Sequence, residues 1–153
     1  MKLAIGSDHA AFELKRAINE YLKSLGHDVI DMGQSDANPR DDYALTAMKV
    51  AEAVVAGRAD RGWLACGTGI GMSIAANKVP GIRAALVNEL VSAKASREHN
   101  DSNVLVVGAR LISEDTARQI LDIWLSASFA GGRHIPRVAK YTEIEKKYSR
   151  HRL

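Results

Sequence analysis

Short apolar runs alternate along this chain with longer stretches of helical spacing, the pattern of a parallel sheet covered by helices. Residues 2 to 5 read as a first strand, and Gly6-Ser7-Asp8-His9 as the turn that leaves it. From Phe12, apolar positions recur at Leu14, Ala17, Ile18, Tyr21, Leu22 and Leu25 until Gly26, which predicts an amphipathic helix over 11–25. A second strand is predicted over 28–32. Residues 33–43 carry Gly, Ser, Asp, Asn and Pro at loop density, and Asp42 is placed to cap a helix over 43–56. Further strands are predicted over 61–66, 82–87 and 104–107. Between and after them come a short helix ending near Asn77, one over 89–98, and one capped by Ser113 and running to Ser126. A last helix over 138–149 has little apolar surface of its own, as expected of an element fixed against a partner subunit.

With 153 residues, 46% of them apolar, the chain can bury a proper core and reads as a single domain over 1–153. One cysteine cannot form an internal disulfide, and the chain shows neither an apolar run of about 18 residues nor a charged-then-apolar leader. The expectation is a soluble cytoplasmic protein with no membrane role. The formal charge of +3 is spread out, but arginine is dense after residue 130, at Arg133, Arg137, Arg150 and Arg152. Such a tail suits nucleic acid and a phosphorylated small molecule equally. No aromatic-basic stacking surface accompanies the arginines, which argues against nucleic acid.

The chemistry is expected in Trp63-Leu64-Ala65-Cys66-Gly67-Thr68-Gly69-Ile70-Gly71-Met72-Ser73, where the only cysteine ends a strand and a glycine turn opens a helix. Unpaired amides and the positive end of a helix dipole there favour an anion, and the same field favours a thiolate over a thiol at Cys66. The glycine spacing gives neither GxGxxG nor a Walker lysine, and no histidine has the spacing of a metal site, so no metal or cofactor is expected. Ligands of open parallel sheets bind beyond the carboxyl ends of the strands. That rule predicts that Asp8-His9, the Cys66 loop, His99-Asn100 and Gly108-Ala109-Arg110 converge on one edge. Asp8 is equally suited to cap the helix that follows it. Tyr43 is placed either to line a pocket or to start a helix in the core, and Arg133 and Arg137, four apart, also fit a solvated face.

Five segments in register resemble the ribose-5-phosphate isomerase B family. They are Ile5-Gly6-Ser7-Asp8-His9-Ala10; Cys66-Gly67-Thr68-Gly69-Ile70-Gly71 with Ser73-Ile74-Ala75-Ala76-Asn77-Lys78; Gly81-Ile82-Arg83-Ala84; Arg97-Glu98-His99-Asn100-Asp101; and Gly131-Gly132-Arg133-His134 with Arg137. That wider family includes galactose-6-phosphate and allose-6-phosphate isomerases. The resemblance implies a Rossmann-like three-layer α/β fold with a five-stranded parallel sheet, and a metal-free aldose-ketose isomerase acting through a cis-enediolate. Its site would be shared across a homodimer or a dimer of dimers. By position, Cys66 would be the base, Thr68 its companion on the substrate oxygens, and the amides of Gly67 and of Gly69, Ile70 and Gly71 the oxyanion donors. His99, with Asp8, would open the sugar ring, Asn100 would bind hydroxyls and Tyr43 would line the sugar pocket. His9, Arg110, Arg133 and Arg137 would hold the phosphate, some of them from the neighbouring subunit. Ribose 5-phosphate is the expected substrate, with a six-carbon sugar phosphate or a non-catalytic phosphate or nucleotide module as alternatives. Ala11, Ala44 and Ser102 depart from the family pattern, where glycine, proline and alanine are common.

Overall fold

A computed structural model describes residues 1–33 and 42–149; most of the loop expected over 33–43, together with Arg150 and Arg152, lies outside them. Five strands form one parallel sheet in the order β2-β1-β3-β5-β4: β1 (Lys2–Ser7), β2 (Asp28–Asp31), β3 (Arg61–Cys66), β4 (Ala84–Leu86) and β5 (Val104–Gly108). The connecting helices are α1 (Phe12–Ser24), α2 (Tyr43–Val55), α3 (Ile70–Ala76), α4 (Leu90–Glu98) and α5 (Glu114–Ser126), followed by α6 (Ile135–Ser149).

Strand side chains alternate between the two faces, so every central strand feeds two cores. Leu3, Ile5, Trp63, Ala65, Leu105 and Val107 pack with Ile18 and Leu22 of α1, Ala93 of α4, and Ile120 and Trp124 of α5. Ala4, Leu64, Cys66, Val104 and Val106 pack with Val50 and Ala51 of α2 and Met72 and Ala76 of α3. This is the expected three-layer α/β architecture, Rossmann-like in its doubly covered parallel sheet.

Several boundaries differ from those predicted, β1 for example running on through Gly6 to Ser7, and two of the differences have a local reason. β4 is confined to Ala84–Leu86 because the N–H of Ile82 turns back to the Val79 carbonyl and that of Arg83 is taken by the Asn103 side chain at 2.8 Å. α6 starts three residues earlier than expected, at Ile135, because Pro136 sits in its first turn, where a missing N–H costs nothing.

Two of the departures from the family pattern have local reasons. The Ala44 N–H, which proline would lack, donates to Asp42 Oδ1 at 2.8 Å and completes the cap of α2. Ser102 Oγ accepts the buried Trp124 indole N–H at 2.8 Å, a partner alanine could not supply. Among the described residues, no helix is long and apolar enough to cross a membrane.

Candidate active site

The carboxyl edge of the sheet is stitched together by backbone hydrogen bonds. Asp8 N–H donates to the Ala65 carbonyl, tying the exit of β1 to β3. Ala109 and Arg110 N–H donate to the Cys66 and Gly67 carbonyls, tying the exit of β5 to the same loop. Asp8, Cys66, Thr68 and Arg110 are thereby gathered on one edge, with His9 exposed on the short 3-10 turn His9–Ala11 beside them. Asp8 is buried, and one of its carboxylate oxygens accepts the N–H groups of Ala10 and Ala11 at 3.0 and 3.3 Å. The capping role open to this residue in the sequence is therefore filled.

Cys66 is 6% exposed, and its Sγ accepts the Gly69 N–H at 3.1 Å. That bond needs a sharp reversal, which Gly69 makes at φ +79°, a conformation L side chains rarely adopt. A Cβ there would also lie 2.4 Å from Leu86 Cδ1 and 3.0 Å from the Val107 backbone. Thr68 Oγ1 accepts the Ile70 N–H at 3.4 Å, and Ile70, the first residue of α3, is exposed. The Tyr43 ring lies against Gly71, where a Cβ would come within 2.6 Å of it, so Tyr43 lines the loop from the start of α2. The Arg110 guanidinium lies over Gly67, within 3.1–3.3 Å of where a Cβ would stand. A cation, a thiol, a hydroxyl and a set of amides thus surround one small loop.

His99 and Asn100 do not join them. Both follow α4, which runs back from the carboxyl edge, and they precede β5, so they sit at the amino edge. Since β5 contains five residues, roughly 15 Å of strand separates them from the Cys66 loop. The convergence expected of four segments holds for three, because in a right-handed crossover the end of a helix returns to the start of the next strand.

At the amino edge a second cluster forms. The Ala130 N–H donates to the Glu98 carbonyl at 2.9 Å, which brings the segment carrying Arg133, His134 and Arg137 against the end of α4. The His134 and His99 rings stack with centroids 4.5 Å apart and planes 11° apart. Asn100 Nδ2 donates to the Tyr141 hydroxyl at 3.0 Å. Arg133 and Arg137 are exposed beside the pair. Burial holds the His134 imidazole below its usual range, and the charges of His99, Arg133 and Arg137 push it the same way.

The turn itself is clamped. Asp101, in left-handed backbone at φ +48°, pairs with Arg83 and Arg97, each at 2.9 Å. Arg83 therefore serves the fold. His134 and Tyr141 were not singled out by sequence as site residues; the adjacency of His134 to Arg133 after two glycines was the one available signal. Among the described residues no three His, Cys, Asp or Glu side chains gather as they would around a metal ion.

The sequence matches the family model described as Ribose/Galactose Isomerase over residues 3–141. It is 48% identical to ribose-5-phosphate isomerase B of Escherichia coli, covering 95% of this chain and 97% of that one. The fold superposes on the ribose-5-phosphate isomerase B of Clostridium thermocellum with a TM-score of 0.94 at 55% identity, covering 97% of this chain and 99% of that one. It also superposes on the Mycoplasma genitalium enzyme with bound ribulose-5-phosphate, at a TM-score of 0.91 and 39% identity over 95% and 97% of the two chains. With a family match spanning nearly the whole chain and a thiol-bearing glycine loop at the sheet edge where the fold puts ligands, this protein belongs to the Ribose/Galactose Isomerase family.

Proposed function

We propose that the chain interconverts D-ribose 5-phosphate and D-ribulose 5-phosphate, as a single catalytic domain in the cytoplasm, in a site completed by a second copy of itself. The observation that carries this reading is the division of the chemistry between two edges of one sheet. The loop with the thiol has Asp8, His9 and Arg110 beside it but not the ring-opening histidine, and the amino-edge cluster has His99, Arg133 and Arg137 but no base. A symmetric dimer that sets one edge against the other makes two complete sites. α6 supports it: none of its residues is buried, and Ile135, Ile144 and Tyr148 are each more than half exposed.

In this site His99 protonates the ring oxygen while Asp8 assists removal of the O1 proton, giving the open aldehyde. The Cys66 thiolate then takes the C2 proton, and charge moves to O1 as the cis-enediolate forms. The Gly69 N–H is already committed to the Cys66 sulfur and the Ile70 N–H to Thr68 Oγ1, which leaves Gly67 and Gly71, of the four amides expected there, for the oxygen. Thr68 passes the O2 proton to O1, and Cys66 returns its proton to C1, leaving the ketone at C2 with atoms and charge balanced. Asn100 binds hydroxyls. His9 and Arg110 from one chain, with Arg133 and Arg137 from the other, hold the phosphate and so fix the carbons.

A second reading, a six-carbon sugar phosphate as substrate, draws on the family's own description, which spans ribose and galactose. Metal-free assays on ribose 5-phosphate, allose 6-phosphate and galactose 6-phosphate, with Cys66→Ala in parallel, decide between them. The highest kcat/KM on ribose 5-phosphate supports the proposal, and a higher value on a hexose phosphate replaces the substrate while keeping the mechanism. Unimpaired turnover by Cys66→Ala removes the base.

A further inference from the structure

Between residues 132 and 149 a single side chain is buried, that of His134. A histidine held at 8% exposure in so open a segment needs a reason, and its neighbour supplies one: the face of His134 lies on the face of His99. Two features deliver it there. The Ala130 N–H bond to the Glu98 carbonyl pins the incoming chain to the last turn of α4. Gly131 and Gly132, at φ +66° and +53°, then reverse the backbone so that His134, whose own N–H donates to the Gly131 carbonyl, points back at the turn.

His99 is itself exposed and lies just past the end of its helix, so its own element gives the ring little to rest on. The hydrogen-bonding directions of an imidazole lie in the plane of the ring. A stacked partner that fixes this plane therefore fixes where both ring nitrogens aim, while leaving the edges open to a ligand. The arginines on either side of His134 and its burial favour the neutral ring, which suits a platform beside a group that must carry a proton.

We propose that His134 is a positioning residue for the ring-opening step: it holds the His99 imidazole in the plane from which it reaches the ring oxygen of a cyclic sugar phosphate. This rests on the reading of His99 given above. In this role His134 acts through His99 rather than on the reacting carbons or the phosphate.

The test compares His134→Ala and His134→Phe with His99→Asn, using two readouts. The first is the proton NMR spectrum of the His99 ring, whose lines are displaced by the ring current of a stacked neighbour. The second is turnover of ribose 5-phosphate set against solvent-deuterium exchange at C1 of ribulose 5-phosphate. The ketose has its C5 oxygen esterified and no ring to open, so exchange reports proton transfer at Cys66 alone.

In His134→Ala the His99 lines lose their displacement and turnover falls about tenfold, with exchange kept within about twofold of wild type. His134→Phe, which restores an aromatic face without a titrating group, recovers the line positions and most of the turnover. The proposal is overturned if the alanine variant leaves the His99 lines in place, if exchange falls as far as turnover, or if phenylalanine rescues nothing. Should His99→Asn lose exchange and turnover alike, the ring-opening assignment fails instead, and the His99 lines then decide the positioning claim on their own.

Discussion

The loop after β3 and the turn after α4 carry comparable chemistry and are built by different means. At the carboxyl edge the positions are set by the main chain: three strand exits joined by amide-carbonyl bonds, a glycine at φ +79°, and an aromatic ring and a guanidinium lying where side chains are missing. At the amino edge they are set by side chains: a carboxylate between two arginines, two stacked imidazoles, and an amide on a tyrosine hydroxyl. A backbone-built site is rigid because its groups cannot change rotamer. A side-chain-built site that offers exposed groups, here His99, Asn100, Arg133 and Arg137, gains its final shape from whatever packs against it. The first is suited to a base and oxyanion donors that must not move, the second to groups offered to a neighbouring molecule.

The largest effect expected from breaking this arrangement is at Cys66. Replacement by alanine should lower kcat by about 10²–10⁴-fold, the range of a general base, with circular dichroism and urea midpoint nearly unchanged. A variant with near-normal kcat would remove the thiol from the chemistry. The division between edges is probed next by mixing two inactive proteins, Cys66→Ala and His99→Asn, and refolding them together. If each site draws one edge from each chain, half the dimers are hybrids with one intact site, and activity should recover to roughly a quarter of wild type. No recovery would mean that both edges of a site come from one chain or that the pairing is different.

Arg137→Ala should raise KM for the sugar phosphate by about tenfold or more while changing kcat less, the loss expected of one charge-assisted phosphate contact. An unchanged KM would return Arg137 to a solvated face. Gly69→Ala should destabilise the fold by about 1–3 kcal/mol, through its positive φ and the crowding at Leu86, and reduce activity by moving the Cys66 loop. Equal denaturation midpoints for this variant and wild type would show that the turn is less constrained than its geometry indicates.

The smallest effect is with pH. Because the folded His134 value is lowered, the unfolded chain binds the proton first as pH falls, so this residue's contribution is complete above about pH 6.5 and is lost below it. The stability advantage of wild type over His134→Phe, read from urea midpoints, should therefore shrink on going from pH 7.5 to 5.5. An advantage independent of pH would show that His134 does not titrate in that window.

Much of the layout was legible in one dimension. The order and type of the elements followed from apolar spacing, and β3 and α5 fell where Arg61–Cys66 and the Ser113 cap placed them. Those signals are local, since a strand's alternation and a cap's side chain lie within a few residues of the structure they specify. The Cys66 loop was legible for the same reason, since a thiol, a hydroxyl and three glycines adjacent in sequence stay adjacent in space. Pro136 moved the start of α6 because a proline permitted in a first turn cannot be told by pattern alone from one that delays the helix.

Three things were settled only by tertiary structure. His99 and Asn100 were assigned to the wrong edge because which end of a sheet a turn occupies depends on the direction of the helix before it. His134 gave no sign of burial, since its partner lies 35 residues earlier and the stack exists only because Ala130 bonds to Glu98 across that gap. Asp101 gave none of its left-handed turn, which Arg97 of α4 and Arg83, just before β4, hold in place. The sequence by itself determined which groups are present and which of them share a loop, because covalent neighbours cannot separate. Only the folded chain decided which groups face each other across distance, because that depends on strand direction and on hydrogen bonds between segments far apart in the chain.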